Sequence, residues 1–174
     1  MLALRIVTRG FRGASAPLVA GSSRAVHLTQ HTEYALRLMM YLAIHPDEMP
    51  NVGSVSAAFG ISDNHLATIG NELVNAGYVE AKRGRGGGFR LARVPDQIRV
   101  GEVVRRLENL RLVECFDAER NSCPLMGPCK LAQVLDDAQR AFLETLDRVT
   151  LADLVTNRPQ LLSALTLKRG VERA

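Results

Sequence analysis

The sequence predicts a mainly α-helical fold with a single small β-hairpin. Two short helical segments lie on either side of a tight turn at Gly60, and a glycine-rich hairpin pattern follows them at residues 78–91. A long amphipathic helical pattern then begins near Lys130. A helix-turn-helix followed by a hairpin is a winged helix-turn-helix. We therefore expect that unit, joined to a long C-terminal helix suited to dimerisation.

Length and composition are those of a protein with one sizeable core. The chain has 174 residues, of which 47% are hydrophobic, and charged residues interrupt every apolar run. No run reaches the roughly 20 residues that a membrane-spanning helix needs. No nucleophile and base, phosphate loop or carboxylate pair stands out, and the glycine run opens no helix. These patterns argue against a membrane protein and against an enzyme.

The first segment of the chain differs in composition from the rest. Residues 1–26 are rich in Arg, Ser, Ala and Gly and contain no Asp or Glu, so they account for the net charge of +4. Such a leader resembles an organellar transit peptide. We favour the alternatives of a disordered extension or a start codon placed too early, with a valine start at Val26. The rest of the chain is neutral on balance, so evidence for a nucleic-acid partner has to be local.

Capping signals predict the bounds of the first three helices. Thr29 offers an N-cap for a first helix that His45 ends. A second helix is expected at residues 52–59, closed by a glycine, and Ser62 caps a third helix at about residues 63–75. The second and third helices form the expected helix-turn-helix.

The predicted wing carries a local excess of positive charge. Two β-like pieces at residues 78–81 and 89–91 enclose a glycine-rich tip. Between positions 82 and 94 the chain has five basic residues and no acidic one: Lys82, Arg83, Arg85, Arg90 and Arg93. Glycines at the tip allow the backbone to approach a phosphate, or an arginine to enter a narrow minor groove. The alternative is a solvated hairpin with incidental charge.

The N-terminal turns of the third helix carry polar side chains suited to base edges in the major groove. The alternative is that these side chains are ordinary surface residues. Together with the helix start and the wing, the residues expected to contact DNA are Thr29, Asn64, His65, Thr68, Lys82, Arg83, Arg85, Gly86, Gly87 and Gly88.

Two further helices flank a segment that contains all the cysteine of the chain. A fourth helix is expected at residues 100–110 and a long helix from about 130 to 149, with a short helical turn after Thr150. The apolar stripe of the long helix either packs on the winged domain or forms a dimer interface, which we favour because helix-turn-helix proteins usually read two half-sites as dimers.

We divide the chain into a leader at 1–27, a DNA-binding domain at 28–98, a connecting helix and cysteine loop at 99–129, a dimerisation helix and turn at 130–158, and a tail at 159–174.

The three cysteines predict a metal or cluster site. Cys115, Cys123 and Cys129 are separated by seven and then five residues, without a Cys-x-x-Cys pair. Structural zinc sites usually have four ligands with close pairs, whereas three thiolates spread over a loop suit an iron-sulfur cluster with a fourth ligand from elsewhere. Redox-active thiols or buried apolar cysteines are the alternatives. Both a metal or cluster site and redox-active thiols need reduced cysteines, which are typical of a reducing compartment. We therefore expect a cytoplasmic protein.

Four segments together resemble the NsrR-type nitric-oxide-sensing repressors, whose wider group includes the IscR-type regulators of iron-sulfur assembly. These segments are residues 28–37, residues 83–91, the three-cysteine loop and residues 150–154. The resemblance implies a dimeric winged-helix repressor in which Cys115, Cys123 and Cys129 bind a cluster, which we expect to be [4Fe-4S], with [2Fe-2S] as the alternative. Nitric oxide would dismantle the cluster, release the operator and derepress detoxification genes.

The resemblance also implies a source for the fourth ligand. In NsrR-like proteins a carboxylate near the start of the first helix of the partner subunit can complete the coordination, and Glu33 stands where that family commonly has Asp. In IscR-type proteins the ligand is a histidine beyond the third cysteine, but His65 is the last histidine here. This favours the NsrR type over an IscR-type iron-sulfur-assembly or redox regulator. A zinc or thiol redox DNA-binding protein stays as a separate alternative.

Overall fold

The computed structural model describes residues 27–84, 86–117, 119–125 and 127–171. Its helices and strands are α1 (Gln30–Ile44), α2 (Val52–Phe59), α3 (Asp63–Asn75), β1 (Val79–Lys82), β2 (Gly88–Leu91), α4 (Val100–Leu107), α5 (Lys130–Asp147), α6 (Leu151–Leu154) and α7 (Arg158–Val171). The mainly α-helical fold with one antiparallel hairpin is confirmed. The leader expected at residues 1–26 and the basic residue Arg85 lie outside the described residues.

Side-chain caps begin the first three helices where the sequence predicts them. The Thr29 hydroxyl accepts a hydrogen bond from the backbone N–H of Thr32, and Ser62 does the same for His65. Gly60 ends α2 with φ of +68°, in the left-handed region that glycine adopts without steric cost. The turn between α2 and α3 is therefore tight. The two helices form the helix-turn-helix, in which α3 is the second, or recognition, helix.

The wing packs directly on α3. Phe89 of β2 is buried, and its ring lies against Gly70, where an added Cβ would stand 2.4 Å from the nearest ring atom. The backbone N–H of Phe89 also donates to the carbonyl of Pro50, at 3.0 Å, in the segment before α2. These contacts fix the hairpin to α3 and to the segment that leads into α2.

The short helix α4 belongs to two apolar clusters. Val103 packs in the main core with residues of α1 and α3, whereas Val100 and Val104 pack with Leu143 of α5. The chain leaves α4 after Leu107, three residues before the predicted end, because Glu108 is already extended, with φ of −97° and ψ of 143°. This early end turns the following cysteine loop toward α5.

Much of the apolar stripe of α5 is open in the single chain. Only Leu143 of this helix is buried, whereas Leu131 and Val134 are 63% and 61% exposed and Phe142 is 42% exposed. Packing on the winged domain therefore accounts for only part of the stripe.

None of the helices in the described part of the chain is long and apolar enough to cross a membrane.

The segment expected as a C-terminal tail is largely helical. Helix α7 covers Arg158–Val171, and the Arg158 Nε donates to the carbonyl of Ile44 at 2.8 Å, at the C-terminal end of α1. Leu165 packs against the main core. The start signal of this helix is present in the sequence, because Asn157 precedes the helix and Pro159 lies in its first turn, and both residue types are favoured at these positions.

We expect Gly70→Ala to destabilise the winged domain, because the new Cβ would overlap the buried Phe89 ring. Overpacking of this kind typically costs about 1–3 kcal/mol, measured here as the free energy of unfolding in urea. The matched control is Gly53→Ala in α2, whose new Cβ would meet only Asn51 Oδ1 at an ordinary 3.5 Å. Equal stability changes in the two variants would contradict the packing described here.

Candidate nucleic-acid interface and cysteine site

The polar side chains predicted to contact DNA at the start of α3 differ in their solvent exposure and in their contacts within the chain. Asn64 and Thr68 are exposed, and the Thr68 hydroxyl donates to the carbonyl of Asn64 at 3.0 Å. His65 is half-buried, and its ring stands edge-on to the ring of Tyr34 of α1, with centroids 5.3 Å apart. Asn64 and Thr68 are thus available at the surface, whereas His65 also helps to hold α3 against α1.

Thr29 is occupied by two interactions within the chain. Besides capping α1, its backbone N–H and its hydroxyl both donate to Glu108 Oε1, at 2.6 and 3.0 Å. A carboxylate at a helix N-terminus is favourable because the free N–H groups there carry partial positive charge. The start of α1 is therefore tied to the end of α4, and a DNA contact by Thr29 stays a prediction.

Ion pairs take up part of the positive charge of the wing. Arg90 pairs with Glu80 across the hairpin at 2.6 Å, and Arg93 pairs with Glu102 of α4 at 3.2 Å. Within the described ranges, Lys82 and Arg83 make no ion pair and are exposed. The charge that the wing offers to a phosphate backbone is therefore concentrated at its tip.

A buried tyrosine fixes the base of the wing to α4. The Tyr78 hydroxyl donates to Glu102 Oε1 at 3.0 Å, and the guanidinium of Arg93 lies 4.8 Å from the centroid of the Tyr78 ring. Burial, together with the hydrogen bond and the charge of Glu102, raises the pKa of Tyr78 to about 12. Tyr78 therefore keeps its proton and remains a donor at neutral pH.

The glycines of the wing tip serve different purposes. A Cβ on Gly87 would stand 2.2 Å from the carbonyl oxygen of Lys82, and one on Gly88 would stand 2.3 Å from that of Met49. These two glycines are required by close approaches within the chain. Gly86, with φ of +76°, faces open space, as does Gly84, with φ of +91°, so these two glycines are placed to approach a ligand.

The three cysteines come together at one cavity. Cys115 lies in the 3₁₀ turn Glu114–Phe116, Cys129 immediately precedes α5, and Cys123 lies between them. All three are free and half-buried, and they line a cavity of about 350 Å³. The remaining lining residues are Phe116, Gly127, Ala132, Gln133 and Asp136.

The potential ligands that line this cavity are the three thiols and the carboxylate of Asp136, which also pairs with Arg140 at 2.7 Å. Thiolates are the usual protein ligands of iron-sulfur clusters, and a cavity shared by three of them leaves room for a body larger than one ion. In the described part of the chain, no three His, Cys, Asp or Glu side chains converge on a single-ion site. The residues present fit a cluster held mainly by cysteine.

Glu33 is exposed in the first turn of α1 and pairs with Arg37 one turn later. This placement satisfies the role of a helix-start acid within one chain. It also leaves the carboxylate at the surface, where a second chain can approach it.

Several contacts of the site have no local signal in the sequence. Glu102 and Glu108 contact residues 24 and 79 positions away, so only the folded chain reveals them. Asp117 is different, because its side chain accepts a hydrogen bond from the backbone N–H of Glu119, two residues on. Such a turn is a known preference of Asp in loops and could have been predicted.

The comparisons with known proteins agree with this architecture. The Rrf2 family, described as an iron-dependent transcriptional regulator, matches residues 28–157. The HTH-type transcriptional regulator NsrR of Geobacillus kaustophilus (strain HTA426) is 48% identical over 147 residues, which cover 83% of this chain and 100% of the relative. The NsrR of Bacillus subtilis (strain 168) is 43% identical over 143 residues, which cover 81% and 98%.

Solved structures with the same fold are also regulators. CymR, the global cysteine regulator of B. subtilis, has a TM-score of 0.63 at 27% identity and covers 76% of this chain and 98% of its own. T. potens IscR has a TM-score of 0.62 at 27% identity, with coverage of 76% and 88%. The predicted resemblance and the winged-helix fold are confirmed, and the chain belongs to the Rrf2 family as a DNA-binding transcriptional regulator of the NsrR type.

Proposed function

We propose that the protein is a homodimeric cytoplasmic repressor that binds an iron-sulfur cluster, [4Fe-4S] in form, and releases its operator in response to nitric oxide. The observation that carries this proposal is the cavity lined by Cys115, Cys123 and Cys129. The match to an iron-dependent regulator family and the similarity to NsrR proteins support it. When bound, a cluster with one weakly held iron supplies a site for a small diatomic ligand.

The cysteine loop is anchored to α1 and α5 at its start, and at its end Cys129 leads directly into α5. At its start, Glu108 holds the backbone N–H and hydroxyl of Thr29 at the N-terminus of α1. Two residues later, the carbonyl of Leu110 accepts from Gln139 Nε2 of α5 at 2.6 Å. Release of the three thiols from a common ligand would free the loop between these anchors.

The same anchors are connected, through α1 and α4, to α3 and the wing, which are the elements expected to contact DNA. Helix α1 packs on α3, and α4 reaches the wing through the contact of Glu102 with Tyr78 and Arg93. A movement of α4 would therefore change the position of the wing relative to α3. In a dimer, a small change of this kind in each subunit alters the spacing of the two recognition helices.

The exposed part of α5 is the proposed dimer interface. Leu131, Val134 and Phe142 form an apolar surface that a second copy would cover, as is usual for an isologous dimer. Glu33 of the partner subunit would then complete the ligand set. A carboxylate is a harder and weaker ligand for cluster iron than a thiolate, so this iron would be the one open to nitric oxide.

We expect Cys115→Ser, Cys123→Ser and Cys129→Ser each to abolish the brown chromophore and tight operator binding together, because each removes one thiolate from a minimal set. The measurements are the absorption spectrum and the iron and sulfide content of anaerobically purified protein, alongside operator affinity. Ser122→Ala, in the same loop, keeps all three thiols and serves as the control. A colourless parent protein would favour a zinc or thiol redox regulator instead.

We expect Arg83→Ala to weaken binding to all DNA sequences and to lower the slope of log affinity against log salt by about one phosphate contact. Arg90→Ala is the matched control, because Arg90 is already paired with Glu80. Arg85, at the same tip but outside the described residues, should behave like Arg83. Equal slopes for the Arg83 and Arg90 variants would contradict a contact made by the tip.

We expect Glu33→Ala to retain a cluster on three cysteines but to change its absorption spectrum and its rate of reaction with nitric oxide. Arg37→Ala is the control, because it breaks the same ion pair and leaves the carboxylate in place. Identical behaviour of the parent and Glu33→Ala would make Glu33 only a helix-start residue. The fourth ligand would then be water, a small thiol or His31.

A further inference from the structure

The cysteine loop contains one buried acid for which the proposed function has no use. Asp117 is 9% exposed, and it is the only charged residue among the buried ones in the described part of the chain. A carboxylate is buried only at a cost unless it is paired and hydrogen-bonded. We therefore expect its carboxylate to have a positively charged partner and hydrogen-bond donors within the loop.

Arg111 supplies this partner from the surface. Its Nη1 donates to Asp117 Oδ2 at 2.5 Å, although the Arg111 side chain is 56% exposed. The two residues span the stretch that leads into the turn carrying Cys115. We call the Arg111–Asp117 pair the loop latch.

The other polar atoms of Asp117 close the turn around Cys115. The backbone N–H of Asp117 donates to the carbonyl of Glu114 at 2.9 Å, which completes the 3₁₀ turn. Its Oδ1 accepts from the backbone N–H of Glu119 at 3.2 Å. Asp117 thus binds the chain before the cysteine, through Arg111, and the chain after it.

The latch has a fixed base on α5. The residue before Arg111 is Leu110, whose carbonyl accepts from Gln139 Nε2, and the backbone N–H of Arg111 donates to Asn109 Oδ1 at 3.2 Å. Contacts therefore run from α5 through Leu110 and the latch to the turn of Cys115. Cys129 begins the same helix, so this path sets Cys115 relative to Cys129.

The other two cysteines take their positions from different contacts. The backbone N–H of Cys123 donates to Asn121 Oδ1 at 3.0 Å, and Cys129 is held by the start of α5. The Ser122 hydroxyl donates to Glu114 Oε2 at 3.3 Å, so the residue before Cys123 contacts the turn of Cys115. Loss of the latch would therefore displace Cys115 most and Cys123 less, and would leave Cys129 in place.

We propose that Arg111 and Asp117 are positioning residues that hold Cys115 at the cavity in the cluster-free protein, so that three thiols are in place when a cluster binds. This inference rests on the proposed cluster site. The two partners are not equivalent, because loss of Arg111 alone leaves a buried negative charge beside thiolate ligands. Loss of both charges leaves a neutral, weakly held turn.

The test measures the alkylation rate of each cysteine in the full-length, reduced, cluster-free protein with iodoacetamide, followed by mass spectrometry of the peptides. Rates are compared at a pH high enough to ionise all three thiols, because a nearby negative charge lowers the thiolate fraction. In Arg111→Gln, we expect Cys115 to react several-fold faster, Cys129 to react at the parental rate and Cys123 to change less than Cys115. The effect should be smaller in Asp117→Asn and in the double variant, and Arg111→Lys should restore part of the parental rate. Arg120→Gln, which removes a positive charge from the same loop, is the control.

A second readout uses the cluster-loaded protein. The half-life of the chromophore in the presence of an iron chelator should shorten in the same order of variants. An unchanged Cys115 rate in Arg111→Gln, or equal acceleration at all three cysteines, would overturn the latch. Failure of the parent to bind iron and sulfide would instead overturn the proposed function, and the alkylation rates of the cluster-free chain would still decide on the latch.

Discussion

The apolar packing of α4 is the interaction on which the rest of the structure depends. This helix has eight residues, yet Val103 lies in the main core and Val100 and Val104 lie against α5. Gly101 allows the close approach, since a Cβ there would stand 2.1 Å from Asp147 Oδ1. Because α4 is buried on two sides, it would move together with its neighbours. A displacement of the cysteine loop would therefore shift α1 and the wing as well, or would break the contacts at the two ends of α4.

Acidic residues in this fold mainly position other elements. Glu102 holds the wing, Glu108 holds the start of α1, and Asp147 binds Arg105 through both carboxylate oxygens, which lowers the pKa of Asp147. In the wing, Glu80 pairs with Arg90 and Glu102 pairs with Arg93. For this reason the charge available for DNA is more localised than the five basic residues of the wing suggest.

Local signals in the sequence predict the helix-turn-helix well and the connections poorly. Thr29, Ser62 and Gly60 determine helix ends through contacts within a few residues, so their roles are readable from spacing alone. Glu108, which ends α4, and Arg158, which begins α7, contact residues 79 and 114 positions away, and spacing alone does not reveal these contacts. The grouping of three cysteines predicts their shared cavity, whereas the buried environment of Asp117 requires the folded loop.

The most direct test of the account is an anaerobic titration of operator-bound protein with nitric oxide, in which cluster absorbance and fluorescence anisotropy of labelled operator are read from the same sample. If the cluster controls operator binding, DNA release follows the loss of cluster absorbance, with the same dependence on nitric oxide added per cluster. Operator binding that persists after the cluster absorbance has gone would contradict it.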